Sequence, residues 1–152
     1  MTFKELLSAG EHFCSYQERS QYEVRCKLYD IGGKSFDIEQ VIAQLIVDDF
    51  LNEERFAKTI ARGKFRLKNF GKRKIIQMLK LHKISTYCIE KALKEIDEKE
   101  YENTIDKLLE KKLEQLKTEN NSLVKKNKVY RYLLQKGFES QEIIKALDSH
   151  LK

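Results

Sequence analysis

Residues 75–93 read IIQMLKLHKISTYCIEKAL: Ile75 and Leu79 stand four apart, a short turn follows, and Ile89 and Leu93 again stand four apart. Apolar residues one helical turn apart lie on one face of a helix, so the stretch predicts two helices joined by a tight turn. The same grammar occurs twice more. In VRCKLYDIGGKSFDIEQVIAQL, residues 24–45, the pairs are Val24 with Leu28 and Val41 with Leu45. In VYRYLLQKGFESQEIIKAL, residues 129–147, they are Val129 with Leu133 and Ile143 with Leu147. The turn is longer in the first copy.

A further helical stretch precedes each copy, at Phe3 to Tyr16, Glu53 to Lys68 and Lys99 to Lys117. The chain of 152 residues therefore divides into three tandem three-helix units, 1–51, 52–97 and 98–152. The fold class is all-α, and repeats of this kind stack into an elongated, curved body. Start and stop signals agree. Thr2 with Glu5 and Ser20 with Glu23 have the spacing of capping boxes, and Asn52, Ser85 and Ser140 suit N-caps. Gly32-Gly33 and Gly137 suit helix ends, where glycine accepts the left-handed conformation. Proline is absent altogether.

Charge is distributed unevenly. The net charge is +6, yet from Arg55 to Ile89 there are eleven Lys or Arg and no Asp or Glu. The remainder carries 19 basic against 24 acidic residues. On a wheel of about 100° per residue, Arg55, Lys58, Arg62 and Arg66 form one narrow stripe, with Phe56, Ile60 and Leu67 assigned to the packed side. Lys64 falls off the stripe, which predicts a snorkelling side chain or a bend near Gly63. The turn Lys68-Asn-Phe-Gly-Lys-Arg73 adds charge, and Lys74 and Lys80 continue it along the next helix. Like charges without carboxylates repel and forgo the i,i+4 pairs of ordinary solvated helices. By contrast, the helix from residue 98 mixes Glu98, Glu100, Glu102, Asp106 and Glu110 with Lys107, Lys111 and Lys112. The basic sector predicts a polyanionic partner, either nucleic acid or an acidic protein surface. Its candidate contacts are Arg55, Lys58, Arg62, Arg66, Lys68, Lys72, Arg73, Lys74 and Lys80.

Motifs for other chemistry are missing. Gly71-Lys72 lacks the upstream glycine and following Ser/Thr of a phosphate loop, and no Rossmann glycine pattern or catalytic triad context occurs. Cys14, Cys26 and Cys88 are scattered without CxxC spacing, and His12, His82 and His150 are equally dispersed. We expect no metal, no cofactor and no catalysis, and a reducing, cytoplasmic setting with no membrane span.

The segments LIVDDFLNEERFAKTIARGKFR, GKRKIIQMLKLHKIS and IEKAL, followed by LLQKGFESQEIIKAL, resemble the RecX family of bacterial recombinase regulators. The family pattern has an acidic turn, Arg-Phe-Ala, a basic stretch, a glycine before Lys/Arg-Ile and an Ala-Leu helix. Here these are Asn52 to Glu54, Arg55 to Ala57, Arg62 to Lys68, Gly71 with Arg73 to Ile75, and Ala92-Leu93. Many relatives have proline where this chain has Lys72, and a Lys-Gly pair where it has His82-Lys83. The resemblance spans roughly residues 10–150. It implies a monomeric all-α protein that binds the groove of the RecA–DNA filament and inhibits recombinase ATPase and strand exchange, modulating recombination and DNA repair. The rival reading is an autonomous sequence-nonspecific DNA-binding protein that competes for single-stranded DNA; single- or double-stranded DNA is the further candidate partner.

Overall fold

The computed structural model describes residues 1–151. Among them are nine helices and no strand: α1 (Phe3–Tyr16), α2 (Gln21–Asp30), α3 (Ser35–Val47), α4 (Glu53–Lys68), α5 (Lys72–Leu81), α6 (Thr86–Leu93), α7 (Glu98–Gln115), α8 (Ser122–Gln135) and α9 (Ser140–His150). The all-α class and the repeated three-helix grammar are as the sequence predicts. The chain forms two compact units. One comprises residues 1–60 and 78–92, the other 61–77 and 93–152, so α4 and α5 each contribute to both.

In the first unit α1, α2 and α3 pack pairwise. Leu6, Val24, Leu28, Ile38, Val41, Ile42, Leu45 and Leu51 are their shared core. Each such side chain stabilises the unit by about 1.5–3 kcal/mol relative to an exposed one. Both capping boxes form, with Thr2 and Ser20 accepting from the backbone of Glu5 and Glu23. Gly10 lets α1 approach α3, since a Cβ there would lie 2.9 Å from Leu45 Cδ1. Ser20 is buried and shares a 2.9 Å hydrogen bond with His82 Nδ1, while the His82 ring packs 5.1 Å from that of Phe56.

The second unit contains α7, α8 and α9, again packed pairwise. Tyr101, Ile105, Leu109, Val129, Leu133, Phe138 and Ile143 are buried in it, as are Ala61, Phe65 and Ile75. Phe65, Tyr101 and Phe138 form a row of rings with centroid spacings of 5.7 and 5.3 Å.

The three turns share one hydrogen-bond scheme. The carbonyls of Leu28, Leu79 and Leu133 accept from the N–H groups five residues on, of Gly33, Ile84 and Phe138, at 2.9, 3.1 and 3.2 Å. That closure needs a left-handed residue, supplied by Gly32 (φ +96°) and Gly137 (φ +99°). In the middle copy it is Lys83, with φ +60°. Although glycine is missing there, the geometry persists.

Two local expectations fail. Ser140 is the first residue of α9 rather than its cap; Glu139 holds the cap position without a side-chain bond to the helix backbone, and Ser140 Oγ meets Tyr130 Oη at 2.8 Å. Leu67 is 82% exposed, so the packed side of α4 is instead Phe56, Ala57, Ala61 and Phe65. The helix also runs unbroken through Gly63.

Candidate functional site

The basic sector occupies α4, the α4–α5 turn and α5. Asn52 starts α4 by accepting the Arg55 N–H at 2.8 Å, and Ser85 starts α6 by accepting the Cys88 N–H at 3.3 Å. Part of the sector's charge is answered, contrary to the sequence expectation: five of the eleven cations hold a carboxylate. Arg55 Nε donates to Glu18 at 2.7 Å, and its other nitrogens reach the Asp49 carboxylate at 3.1 Å and the Asp49 carbonyl at 3.0 Å. Arg62 holds Glu95 at 2.7 Å. Lys58 lies 3.6 Å from Glu54, Arg66 3.9 Å from Glu100 and Lys72 3.3 Å from Glu98. Every one of these carboxylates lies outside the window Arg55 to Ile89, which is why a count within that window misses them.

Lys68, Arg73, Lys74 and Lys80 have no carboxylate within 4.0 Å among the described residues. Lys68, Arg73 and Lys80 are exposed. Lys68, Arg73 and Lys74 lie at the α4–α5 turn, which the second unit fastens tightly. The Gly71 N–H donates to the Lys136 carbonyl at 2.8 Å and the Arg73 N–H to the Gly137 carbonyl at 2.9 Å. A Cβ on Gly71 would overlap the Gly137 carbonyl group and the Phe138 nitrogen. The Lys72 N–H, which a proline would lack, donates to Tyr101 Oη at 2.9 Å.

Tyr101 anchors this junction. Its hydroxyl donates to Glu139 while accepting from Lys72, and the residue is 1% exposed. Burial first, and then the hydrogen bond to Glu139, push its phenol well above the ordinary tyrosine range. The Lys72 ammonium lies 4.7 Å from its ring centroid.

Sequence reasoning missed Lys136. Its ammonium donates to the Lys68 carbonyl at 3.3 Å and lies 5.7 Å from the centroid of the Phe70 ring. The Lys74 ammonium lies 4.2 Å from the same ring. The repeat alignment held the available signal, because Lys136 precedes the left-handed Gly137 in the third copy.

No group of three or more potential metal ligands occurs among the described residues. Burial pushes the Cys14 thiol up to about 11, which suits a packing group rather than a nucleophile. No described helix is long and apolar enough to cross a membrane.

Three-helix modules and a basic junction between turns define a modular all-α protein. Residues 52–93 match the family model for the RecX second three-helix domain, and residues 99–147 that for the third. The regulatory protein RecX of Finegoldia magna is 32% identical over 139 residues, covering 90% of this chain and 67% of its own. That of Prosthecochloris aestuarii is 28% identical, covering 97% and 95%. Other relatives are longer: this chain spans about half, 47%, of the Oceanobacillus iheyensis protein. The crystal structure of RecX from Lactobacillus salivarius superimposes with a TM-score of 0.88 at 25% identity, covering 97% and 95% of the two chains. The chain belongs to the RecX family of regulatory proteins.

Proposed function

We propose that this protein binds the RecA–DNA filament and inhibits recombinase ATPase and strand exchange, and so modulates recombination and DNA repair. Family membership over both matched domains is the observation that carries the reading. The cations left unanswered on α5 and its preceding turn support a nucleoprotein partner over a neutral one. In this reading the protein acts as a cytoplasmic monomer without cofactor. Arg55, Lys58, Arg62, Arg66, Lys68, Lys72, Arg73, Lys74 and Lys80 remain the candidate contacts. Those that already hold a carboxylate would exchange one acceptor for another on docking, gaining less than the free ones.

The test is recombinase ATPase on single-stranded DNA, with this protein titrated far below the amount that covers the DNA. Slowed hydrolysis and strand exchange at such ratios is the expected result. Inhibition that sets in only when free DNA is saturated would favour the competing DNA-binding reading, which the same unanswered cations also support.

A further inference from the structure

The sector divides into answered and unanswered charge, and three of its six unanswered cations stand at one turn, the other three being Lys64, Lys80 and Lys83. Lys68, Arg73 and Lys74 lie at the α4–α5 turn, and the backbone bonds from Gly71 and Arg73 bring the α8–α9 turn, with Lys136, against it. The Lys74 and Lys136 ammonium groups approach one half-buried ring, Phe70, at 4.2 and 5.7 Å from its centroid. None of these four cations lies within 4.0 Å of a carboxylate among the described residues. Like charges collected without a counter-charge lower the cost of receiving an anion there. At the start of α5 the Lys72 and Arg73 N–H groups are already engaged by Tyr101 and Gly137, so the side chains are what remains to offer.

The chemistry of these donors distinguishes the anion. Bidentate carboxylate recognition belongs to guanidinium groups, and Arg55 and Arg62 are occupied by Glu18 and Glu95. What remains is mostly lysine, a point charge suited to phosphate, set beside an aromatic ring. Charge tracking the backbone with an aromatic face for a base is the pattern of single-strand binding. We propose that the joined α4–α5 and α8–α9 turns are a binding site for single-stranded nucleic acid. Lys68, Arg73, Lys74 and Lys136 contact phosphates there, and Phe70 receives a base. A cation over a ring that is open to water on one side is held by only about 0.5–1 kcal/mol, so Lys74 and Lys136 can turn to phosphates and uncover the ring. The assignment deepens the filament reading above, since it rests on a DNA strand being part of what the protein contacts.

Fluorescence anisotropy of a labelled oligo-dT with the protein alone tests it. For the wild type, log affinity should fall with log salt at a slope of about −0.7 per phosphate, so about −3 for four contacts. Lys74→Glu with Lys136→Glu should lose at least about tenfold in affinity and flatten the slope by about 1.4, with Lys74→Gln plus Lys136→Gln as the milder pair if the first fails to fold. Phe70→Leu should weaken binding about fivefold or more with the slope unchanged. The control, Lys4→Glu with Lys34→Glu, makes the same change in net charge at two exposed positions and should shift affinity less than about twofold. The proposal is overturned if the wild type does not bind, or if the control weakens binding as much as the turn pair. It is also overturned if the turn variants bind oligo-dT normally yet lose recombinase inhibition, which would assign the turns to an acidic protein surface. Loss of the filament reading would show in the ATPase titration alone and leave the anisotropy result standing.

Discussion

Gly71 and Gly137 meet backbone to backbone, with the Gly71 N–H bonded to the carbonyl just before Gly137 and no space left for a side chain at either residue. The contact unites two turns 66 residues apart in sequence using atoms that every residue possesses, but only glycine leaves room for it.

Gly71→Ala should therefore destabilise the second unit by about 3 kcal/mol or more, because the obstacle is backbone that cannot swing aside. Gly63→Ala, in the interior of α4 with open space around it, should do the reverse and stabilise by about 1 kcal/mol. Urea denaturation of the two variants checks both signs; a tolerated Gly71→Ala would mean the turns can separate without loss.

Lys83 holds the left-handed position that Gly32 and Gly137 hold in the other copies. A non-glycine residue there costs about 1–2 kcal/mol, partly offset in a glycine variant by the larger entropy of its unfolded chain. Lys83→Gly should gain about 0.5 kcal/mol and raise Tm by a degree or two. A lower Tm would show that the lysine side chain contributes more than its backbone conformation costs.

The buried Tyr101 hydroxyl gives the fold an alkaline weakness. Its folded-state pKa lies above the ordinary value of about 10, so the folded protein keeps a proton that the unfolded chain releases. Its contribution is complete below about pH 10 and is lost as pH rises beyond it. Tyr101→Phe should remove that part of the alkaline loss. At neutral pH it should cost about 1–3 kcal/mol, by stranding the Lys72 N–H and Glu139. Unfolding free energy measured from pH 7 to 11 in both proteins separates the two effects. Parallel curves would mean that Tyr101 ionises freely in the folded state.

Local rules made much of this legible in the sequence. Val24, Leu28, Ile75, Leu79, Val129 and Leu133 are all fully buried, because residues four apart share a helix face whatever the tertiary context. The α4 wheel misled at Leu67 because it assumes one packed arc. Phe56 and Phe65 are both buried, although nine residues at about 100° each put them on opposite sides. The charge window misled for a similar reason. Glu18 and Glu95 answer Arg55 and Arg62 from 37 and 33 residues away, and Lys136 reaches Lys68 across 68. No spacing rule reports contacts of that range.

The paired guanidinium groups also bear on how the proposed partner would arrive. Beyond a Debye length, about 8 Å at physiological ionic strength, Arg55 with Glu18 and Arg62 with Glu95 act as small dipoles whose fields nearly cancel. A polyanion of the kind proposed above would then be steered by the cations that hold no carboxylate, those at the α4–α5 turn among them, rather than by the whole run of eleven. The paired arginines on α4 would join only after contact, once a carboxylate had been displaced.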